Sequence, residues 1–357
     1  MQRQQPSDED EDEDEDMTLM DTRQFPRVTF RPFAGPSDYE AMVACANASF
    51  SADDTGFFRT VPEVARDYAS FTSCVPERDV WIADAGTEIA GYVRSWPWAQ
   101  ADGLQLYAQF AVVAPHWRRQ GIGRRLHAWL EQRQRTQAAA EHPLAARHAH
   151  HAFVTQGETA RAALLEKAGY TPERYFFTMV RPTLDQVADF PLPEGLELRP
   201  VQPDHYRAIW DAHCRAFQSH WGYCPPEEAD YLQWLKSPVF QPHLWQVAWD
   251  VQTHQVAGQV RTYIDPTWNQ GNGRQRGWTE FISVVEPWRR RGLARALISH
   301  SLRAQAAAGM AESGLGVDSQ NGSGANRVYE DCGFVVDRRN CVYRKPLVPG
   351  PDRVAAG

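Results

Sequence analysis

The chain has 357 residues, 43% of them hydrophobic, which is the size and composition of two ordinary globular domains. Its formal net charge of −8 comes from one unbroken run of nine carboxylates at residues 8–16, without which the charge is +1. The rest of the chain is therefore near neutral, which excludes a general nucleic-acid-binding function. No apolar run approaches the ~20 residues of a transmembrane helix, so we expect no membrane association.

Residues 1–26 are predicted to be a disordered acidic tail, because a block of like charges repels itself and stays solvated. The alternative is a tail that binds a basic partner. The N-terminus has no apolar signal-peptide core, and the six cysteines show no Cys-x-x-Cys spacing. We therefore expect reduced thiols and a cytoplasmic protein.

Residues 27–181 alternate between β-branched stretches and amphipathic ones, and they are predicted to form a first domain. The predicted strands are residues 28–31, 80–83, 88–96, the stretch before residue 114, 153–154 and 175–180. The predicted helices are residues 38–50, 62–71, the stretch from 123 to about 140, and 159–168.

Residues 182–194 contain three prolines and are predicted to be a linker, and residues 195–346 repeat the same order of elements. The strands of this second domain are predicted at residues 196–199, 244–249, 255–264, 279–285, 314–317 and 334–343. Helices are predicted at 204–217, 227–235, after residue 292 and at 325–331, and residues 347–357 form a tail. The pattern predicts an α/β fold, a mixed sheet flanked by helices, in each domain.

A basic, glycine-marked turn joins the predicted strand 279–285 to the helix that follows it. Arg289, Arg290 and Arg291 precede Gly292, and an Ala- and Leu-rich helix begins there. The free backbone N–H groups and the dipole of a helix N-terminus favour an anion, and a glycine lets a phosphate approach the backbone closely. Two other nucleotide-binding patterns do not match this chain. The Walker loop ends in Gly-Lys-Ser/Thr, which is absent, and the dinucleotide-binding loop needs three glycines at a spacing that is also absent.

The same stretch occurs twice. Arg118-x-x-Gly121-x-Gly123 follows a strand and a proline turn as Arg289-x-x-Gly292-x-Ala294 does, and the two central glycines are 171 positions apart. Phe-Arg-Pro and Leu-Arg-Pro segments open the two copies, and Gly-Tyr and Gly-Phe pairs close them at nearly the same offset. We interpret this as a duplicated domain.

Both loops resemble the Arg/Gln-x-x-Gly-x-Gly/Ala pyrophosphate loop of the GNAT superfamily of acetyl-CoA-dependent N-acetyltransferases. The resemblance covers about residues 27–345 and extends to tandem members of the mycothiol synthase type, in which the C-terminal domain acts and the N-terminal one is degenerate. It implies two tandem GNAT domains, each a central, mostly antiparallel sheet with a splayed strand pair. It also implies acetyl-CoA as the acyl donor.

The resemblance further implies that each loop holds the cofactor pyrophosphate, while the last two valines of the preceding strand and an asparagine hold the pantetheine arm. The residues so assigned are Val284, Val285, Arg289, Arg290, Arg291, Gly292, Leu293, Ala294 and Asn321 in the second copy, and Val112, Val113, Arg118, Arg119, Gln120, Gly121, Ile122 and Gly123 in the first.

Glu280 is the candidate general base, because it is the only carboxylate in its strand and a glutamate on this strand serves as the base in many GNAT enzymes. The alternative is an ordinary solvent-facing glutamate. Tyr329 is the candidate proton donor, because the segment from Asn321 to Gly333-Phe334 resembles the GNAT closing helix, where such a tyrosine approaches the CoA sulfur. The alternative is a core tyrosine.

The acceptor is predicted to enter at residues 218–226, where His220, Trp221 and Tyr223 would form an aromatic wall around a small organic amine, with Tyr263 on the other side. Acetyl transfer by direct attack in a ternary complex depends on positioning, so no nucleophilic residue is required.

The first copy lacks both candidates. The position of Glu280 corresponds to Gln109, or to Ala108 if the count starts at the valines, and that of Tyr329 corresponds to Leu165. We therefore expect the first domain either to bind acyl-CoA without turnover or to support the second domain structurally. His148, His150 and His151 precede a short strand and are interpreted as a polar strand entrance and not as a metal site, so no metal is expected.

The leading hypothesis is an N-acetyltransferase that acetylates a small-molecule amine in its C-terminal domain. A non-catalytic acyl-CoA-binding or regulatory tandem protein is the first alternative, and Glu280 and Tyr329 distinguish the two, since a binder needs neither. A protein N-acetyltransferase is the second, and it would favour an open groove over an aromatic wall. The sequence leaves the oligomeric state open.

Overall fold

The computed structural model describes residues 27–142, 147–322 and 324–348 of the chain, so the whole of the predicted acidic tail, residues 1–26, and residues 349–357 lie outside the described part. The chain forms two compact units. Of the described residues, the first takes in those up to Trp98, those within Leu106–Ala152 and residues 346–348, and the second takes in Ala99–Gln105 and those within Phe153–Lys345. No described helix is long and apolar enough to cross a bilayer.

The first unit is built on strands in the spatial order β1-β2-β3-β4-β5, in which β2 is antiparallel to both of its neighbours. The strands are β1 (Thr29–Pro32), β2 (Val80–Asp84), β3 (Ile89–Ala99), β4 (Leu104–Val113) and β5 (Arg147–Thr155), and the helices are α1 (Tyr39–Ala52), α2 (Val61–Ser70), α3 (Pro76–Asp79) and α4 (Ile122–Glu141). Helix α4 buries Ile122, Leu126 and Leu130 against the sheet, because residues four positions apart share one helix face.

The second unit holds two sheets, one with the order β14-β6-β13-β11-β10 and one with the order β12-β9-β8-β7. The strands are β6 (Thr171–Arg181), β7 (Leu196–Leu198), β8 (Gln246–Asp250), β9 (Val256–Val260), β10 (Tyr263–Ile264), β11 (Arg276–Trp278), β12 (Ser283–Val284), β13 (Glu312–Asp318) and β14 (Val335–Pro346). The helices are α5 (Thr159–Lys167), α6 (Tyr206–Phe217), α7 (Glu228–Trp234), α8 (Pro266–Asn272), α9 (Leu293–Ala307) and α10 (Ala325–Asp331). Leu293, Leu297 and Leu302 of α9 lie at the centre of its main core.

Strand β6 belongs to the second unit although it is the last strand of the first repeat. It pairs antiparallel with β13 on one edge and with β14 on the other, so both of its edges are hydrogen-bonded. The compact units therefore do not divide at the predicted linker of residues 182–194. Pairing with strands far along the chain decides where β6 lies, and no local pattern encodes that pairing.

The predicted continuous strand at residues 279–285 is wrong, because the chain changes sheets within it. The Thr279 N–H donates to the Gly314 carbonyl (2.8 Å), which continues the pairing with β13, whereas the Glu280 carbonyl accepts from the Arg261 N–H (2.9 Å) next to β9. Phe281 then takes a left-handed φ of 52°, which is costly for an aromatic residue. Strand β12 resumes as the edge strand of the other sheet. This separation of β12 from β13 agrees with the predicted splayed strand pair.

The remaining helices and strands lie close to their predicted positions, and the predicted mixed fold is confirmed. The largest additional differences are α8, which was not predicted, β5, which is longer than expected, and the break between β9 and β10. The break occurs where a single strand at residues 255–264 was predicted.

A glycine sits at the same place in both repeats, where β3 or β9 passes close to the neighbouring strand and the loop helix. A side chain at Gly258 would lie 3.0 Å from Leu293 and 3.1 Å from the Ser283 carbonyl oxygen, and one at Gly91 would lie 2.8 Å from the Val112 carbonyl oxygen. The two glycines therefore allow this strand and helix to approach each other closely.

We expect Gly258→Val to lower the free energy of unfolding by about 1–3 kcal/mol, because the added methyl groups overpack a filled site. Urea denaturation measures this change. Gly322→Val is the control, since a side chain at Gly322 meets no atom within 4 Å, and it should change stability by much less. Equal stability of the two variants would contradict the close approach at Gly258.

Candidate active site

The basic loop has the same backbone conformation in both repeats. Gly292 and Gly121 are the N-cap residues of α9 and α4 and have φ values of 87° and 92°. Two positions earlier, Arg290 and Arg119 are also left-handed, with φ values of 60° and 65°. The first N–H groups of an α-helix have no acceptor within the helix, so both helix starts offer the backbone donors that favour an anion.

The first arginine of each loop is tied to the strand before it. Arg289 Nε donates to the Val284 carbonyl (3.0 Å), and Arg118 Nε donates to the Val113 carbonyl (3.1 Å). The five-residue spacing is identical, so Val113 corresponds to Val284. It follows that Gln109, and not Ala108, corresponds to Glu280.

The contacts of the guanidinium group of this first arginine differ between the repeats. The Arg118 guanidinium forms a two-pronged ion pair with Asp53 (2.6 and 2.9 Å) and also donates to Ser49, so its charge is neutralised within the protein. Arg289 is exposed, and among the described residues no carboxylate forms an ion pair with it. His220 takes the place of Asp53, at the 167-position offset that separates the starts of α1 and α6.

The two valines predicted to hold the pantetheine arm are placed differently. The Val285 N–H donates to the Ala257 carbonyl (3.0 Å) and is not free. Val284 is paired opposite Gly258 in antiparallel register, so its own N–H and carbonyl face the open side of the edge strand. Of these two valines, Val284 is therefore the one whose backbone N–H faces the open side. Asn321 lies just before α10, and its backbone N–H donates a hydrogen bond to the Asp318 carbonyl (3.1 Å).

Glu280 lies at the point where β12 and β13 separate. Its Oε1 accepts a hydrogen bond from the Gly316 N–H of β13 (2.8 Å). The side chain is half-buried, and burial raises the pKa of the carboxyl to about 7, although the hydrogen bonds from the Gly316 and Phe281 N–H groups oppose the rise. A carboxyl group with such a pKa can exchange a proton near neutral pH.

Tyr329 projects from α10 into the main core, where it lies 6.5 Å from the Phe334 ring. Burial raises the pKa of its phenol, and the nearby negative charge of Glu280 raises it further. Tyr329 is therefore a neutral phenol in the neighbourhood of Glu280. The structure brings the two candidate catalytic residues together.

The matching site of the first repeat lacks this pair. Gln109 and Leu165 are both buried, and β4 runs without a break through the position at which the second repeat changes sheets. The loop of the first repeat is thus complete, while the chemistry-bearing side chains are replaced by a neutral amide and an alkyl group.

Of the predicted acceptor-binding residues, Tyr263 lies with Glu280, whose charge adds to burial in raising the pKa of the Tyr263 phenol. Tyr263 stacks on Trp278 with ring centroids 6.2 Å apart. His220 lies near Arg289 and Asp318, and burial lowers its pKa.

Trp221 and Tyr223 have structural contacts of their own. The Trp221 ring is contacted by two guanidinium groups, Arg344 at 4.5 Å and Arg174 at 5.5 Å. The Tyr223 carbonyl accepts from the Ala101 N–H (3.0 Å). These contacts fix the segment of residues 218–226, and the contribution of both side chains to acceptor binding stays a prediction.

The three histidines before residue 153 are buried within β5, so their interpretation as a polar strand entrance is wrong. His148 stacks on Tyr107, His151 contacts Trp98 at 4.9 Å, and His150 hydrogen-bonds Gln134. Each imidazole is covered by an aromatic or amide partner from a neighbouring element. Within the described ranges no group of three or more His, Cys, Asp or Glu side chains is arranged to hold a metal ion.

Two residues of the site have no signal in the sequence. In the sequence Gly316 is an ordinary strand glycine, and only the structure shows that its N–H donates a hydrogen bond to Glu280. Arg261 is an ordinary arginine at a strand end, and only the structure shows that it is buried. Both depend on the pairing of strands that are distant in the chain.

Comparison with known families gives two matches. Residues 76–172 match the model of the acetyltransferase (GNAT) domain, and residues 206–334 match that of the acetyltransferase (GNAT) family. Together the matches span more than half of the chain, one in each repeat. A mycothiol acetyltransferase of Thermobispora bispora is 27% identical over 322 residues, which covers 87% of this chain and 97% of that protein.

Solved structures agree with this assignment. A GCN5-related N-acetyltransferase from Sphaerobacter thermophilus is 25% identical, with a TM-score of 0.69 over 91% of this chain and 98% of that one. A tandem GNAT protein from the clavulanic acid biosynthesis pathway shares the fold, with a TM-score of 0.62 at 16% identity over 90% of this chain and 99% of that one. The chain is therefore an N-acetyltransferase of the GNAT family and carries two GNAT domains in tandem.

Proposed function

We propose that the protein transfers the acetyl group of acetyl-CoA to the amine of a small molecule, and that the second repeat carries the reaction. The observation that carries this proposal is that Glu280, whose pKa is raised to about 7, lies near enough to the buried phenol of Tyr329 for its charge to act on that group. The first repeat has Gln109 and Leu165 at the same two positions.

The residues of the second repeat fit acetyl-CoA. The N–H groups at the start of α9 and the exposed guanidinium groups of Arg290 and Arg291 suit a pyrophosphate. The free N–H of Val284 on the open edge strand suits the amides of a pantetheine arm. Acetyl-CoA supplies an acetyl group activated as a thioester.

Glu280 acts as the general base in this proposal. An amine attacks a carbonyl only in its neutral form, so the ammonium group of the acceptor must first lose a proton. The Glu280 carboxylate takes that proton, directly or through one water molecule. A base with a pKa near 7 is well matched to this task at neutral pH, because about half of it is ionised there and it can hold the proton once it has taken it.

Tyr329 acts as the proton donor in this proposal. Its phenol donates a hydrogen bond to the sulfur atom as negative charge develops on it. Because burial and Glu280 raise the phenol pKa, Tyr329 keeps its proton until that point. Direct attack requires no nucleophilic side chain from the protein.

A small acceptor is favoured by the enclosed surroundings of Glu280, which include the stacked pair of Tyr263 and Trp278. The similarity to a protein named mycothiol acetyltransferase supports a small-molecule amine as the acceptor class.

Calorimetric titration of acetyl-CoA into the full chain tests the proposal, with Arg290→Ala and Arg119→Ala as a matched pair. Both residues are left-handed, so both substitutions carry the same backbone cost. We expect Arg290→Ala to weaken acetyl-CoA binding by about 10-fold or more, through the loss of charge-assisted hydrogen bonds, and to lower turnover with it. Arg119→Ala should leave turnover intact. Absence of acetyl-CoA binding, or a loss of turnover only in Arg119→Ala, would refute the proposal.

A further inference from the structure

Arg261 is a buried arginine on the acceptor side of the second repeat. It follows β9, and its N–H donates to the Glu280 carbonyl (2.9 Å). The next residue, Thr262, hydrogen-bonds Ser301 of α9. Side chains alternate along a strand, so Arg261 projects to the opposite face, toward α6 and α7. Only 3% of the residue is exposed.

Aromatic rings enclose the guanidinium group. Its central carbon lies 4.2 Å from the Phe281 ring centroid and 5.2 Å from that of Trp234. His213, on α6, lies 5.7 Å from Phe281, and burial together with the charge of Arg261 lowers the pKa of its imidazole to about 2. His213 is therefore neutral and adds no second positive charge beside Arg261.

The guanidinium group has no counterion in the part of the chain that the structure describes. Nε and Nη1 are buried without a hydrogen-bond partner, and no carboxylate lies within ion-pair distance. Burial lowers the pKa of Arg261 to about 9. Cation–π contacts offset part of the desolvation cost of such a charge, but they leave its N–H donors unsatisfied.

The neighbouring buried arginine behaves differently. Arg276 is 4% exposed and donates from Nε to Glu312 at 2.8 Å. Arg344, the third buried arginine of this unit, likewise pairs with Glu173 at 2.9 Å. Among the described residues, the fold thus provides a carboxylate for two of the three buried guanidinium groups and none for Arg261.

We propose that Arg261 binds a carboxylate group carried by the acceptor, on the same face of the sheet from which Glu280 receives the amine. A carboxylate matches the planar, forked donors of a guanidinium group. The Phe281 ring covers the guanidinium group, is itself 45% exposed and lies on a left-handed backbone, so a displacement of this one ring is the step that would open Arg261 to a ligand. The identification of the ligand as the acceptor rests on the proposed function, while the carboxylate site itself does not.

The first experiment measures the unfolding temperature of the full chain with increasing sodium acetate, at ionic strength held constant with chloride and with acetamide as the neutral probe. We expect acetate to raise the unfolding temperature of the wild type saturably and acetamide to have no effect. Arg261→Met should lose the response, Arg261→Lys should keep part of it, and Arg291→Ala should keep it whole. A wild type that does not respond, or an Arg261→Met variant that responds equally, would overturn the proposal.

Arg261→Met also separates a binding role from a structural one. If the guanidinium group is kept for a ligand, its replacement by an apolar chain removes an uncompensated buried charge, and the unfolding temperature without acetate should rise. A purely structural arginine, held by its rings, would give a lower unfolding temperature and no change in the acetate response.

The second experiment compares acceptors that differ only in the carboxylate, namely β-alanine and β-alaninamide, by the release of CoA thiol. We expect kcat/KM to favour the carboxylate by at least 10-fold in the wild type and the ratio to fall toward one in Arg261→Gln. Acetylation of both acceptors without preference would overturn the assignment of the carboxylate to the acceptor. An acetate response without any acetylation would instead refute the proposed function and leave the carboxylate site standing.

Discussion

Glu280→Gln is expected to lower kcat for acetyl transfer by about 10²–10⁴-fold at pH 8, because it removes the group that accepts the amine proton while keeping the size of the side chain. Acetyl-CoA affinity should change little, since the loop of Arg290 and Gly292 is separate from the carboxyl group. The measurement is steady-state release of CoA thiol, with calorimetry for the affinity. Gln109→Ala, at the same position of the first repeat, is the matched control and should retain the wild-type kcat.

The pH dependence gives a second readout of the same residue. Because the pKa of Glu280 is raised to about 7, kcat/KM of the wild type should rise through pH 7 as the carboxyl ionises, and this rise should be absent in Glu280→Gln. A wild-type profile without an inflection near pH 7, or a variant with unchanged kcat, would show that Glu280 is not the base.

The raised pKa also predicts a change in stability. The folded state binds the Glu280 proton up to about pH 7, whereas the unfolded chain releases it near its ordinary value of 4.5. Stability contributed by this group is therefore lost as pH rises between these values. Glu280→Gln should unfold at a higher temperature than the wild type at pH 8, and the difference should vanish below about pH 4.5.

Glu312→Gln is expected to lower the free energy of unfolding by about 3–5 kcal/mol, because it leaves the buried guanidinium group of Arg276 without its counterion. Arg276 and Glu312 lie directly opposite each other where β11 pairs with β13. Arg276 is four residues before Glu280, at which the chain leaves this sheet. Loss of this ion pair should therefore also lower activity. Urea denaturation measures the stability, and Glu286→Gln, an exposed glutamate, should stay within about 0.5 kcal/mol of the wild type.

The double variant Arg276→Met, Glu312→Leu tests the explanation. It removes both charges and keeps apolar volume, so it should recover most of the stability lost in Glu312→Gln. A double variant as unstable as the single one would mean that packing, and not the uncompensated charge, accounts for the loss.

The sequence was informative wherever function depends on local backbone geometry. The left-handed glycines at 121 and 292, the helices that follow them and the positions of Glu280 and Tyr329 all lie within one short stretch each, and the repeat makes every such stretch visible twice. The offset of 171 positions also relates Gln109 to Glu280, so the lack of a carboxylate at this position of the first copy can be seen in the sequence.

Features that depend on long-range pairing could not be predicted. The left-handed conformation of Phe281 occurs at a residue that is neither glycine nor asparagine, so no residue type predicts it. It arises because the residues on either side of Phe281 pair with two different sheets. The N–H of Val285 donates a hydrogen bond to Ala257 of β9, and a pair of adjacent valines in the sequence gives no sign of this bond. Arg261 looks like any strand-end arginine until the absence of a neighbouring carboxylate is known.

The position of β6 has a consequence for how this tandem protein could have evolved. A chain begun at residue 182 would lack the strand that fills the space between β13 and β14, and both edges would be left as open templates for aggregation. Deletion of the first copy would thus destroy the second. Once the last strand of one copy had become an internal strand of the other, a copy without counterparts of Glu280 and Tyr329 could no longer be lost, and selection could retain it for its strand alone.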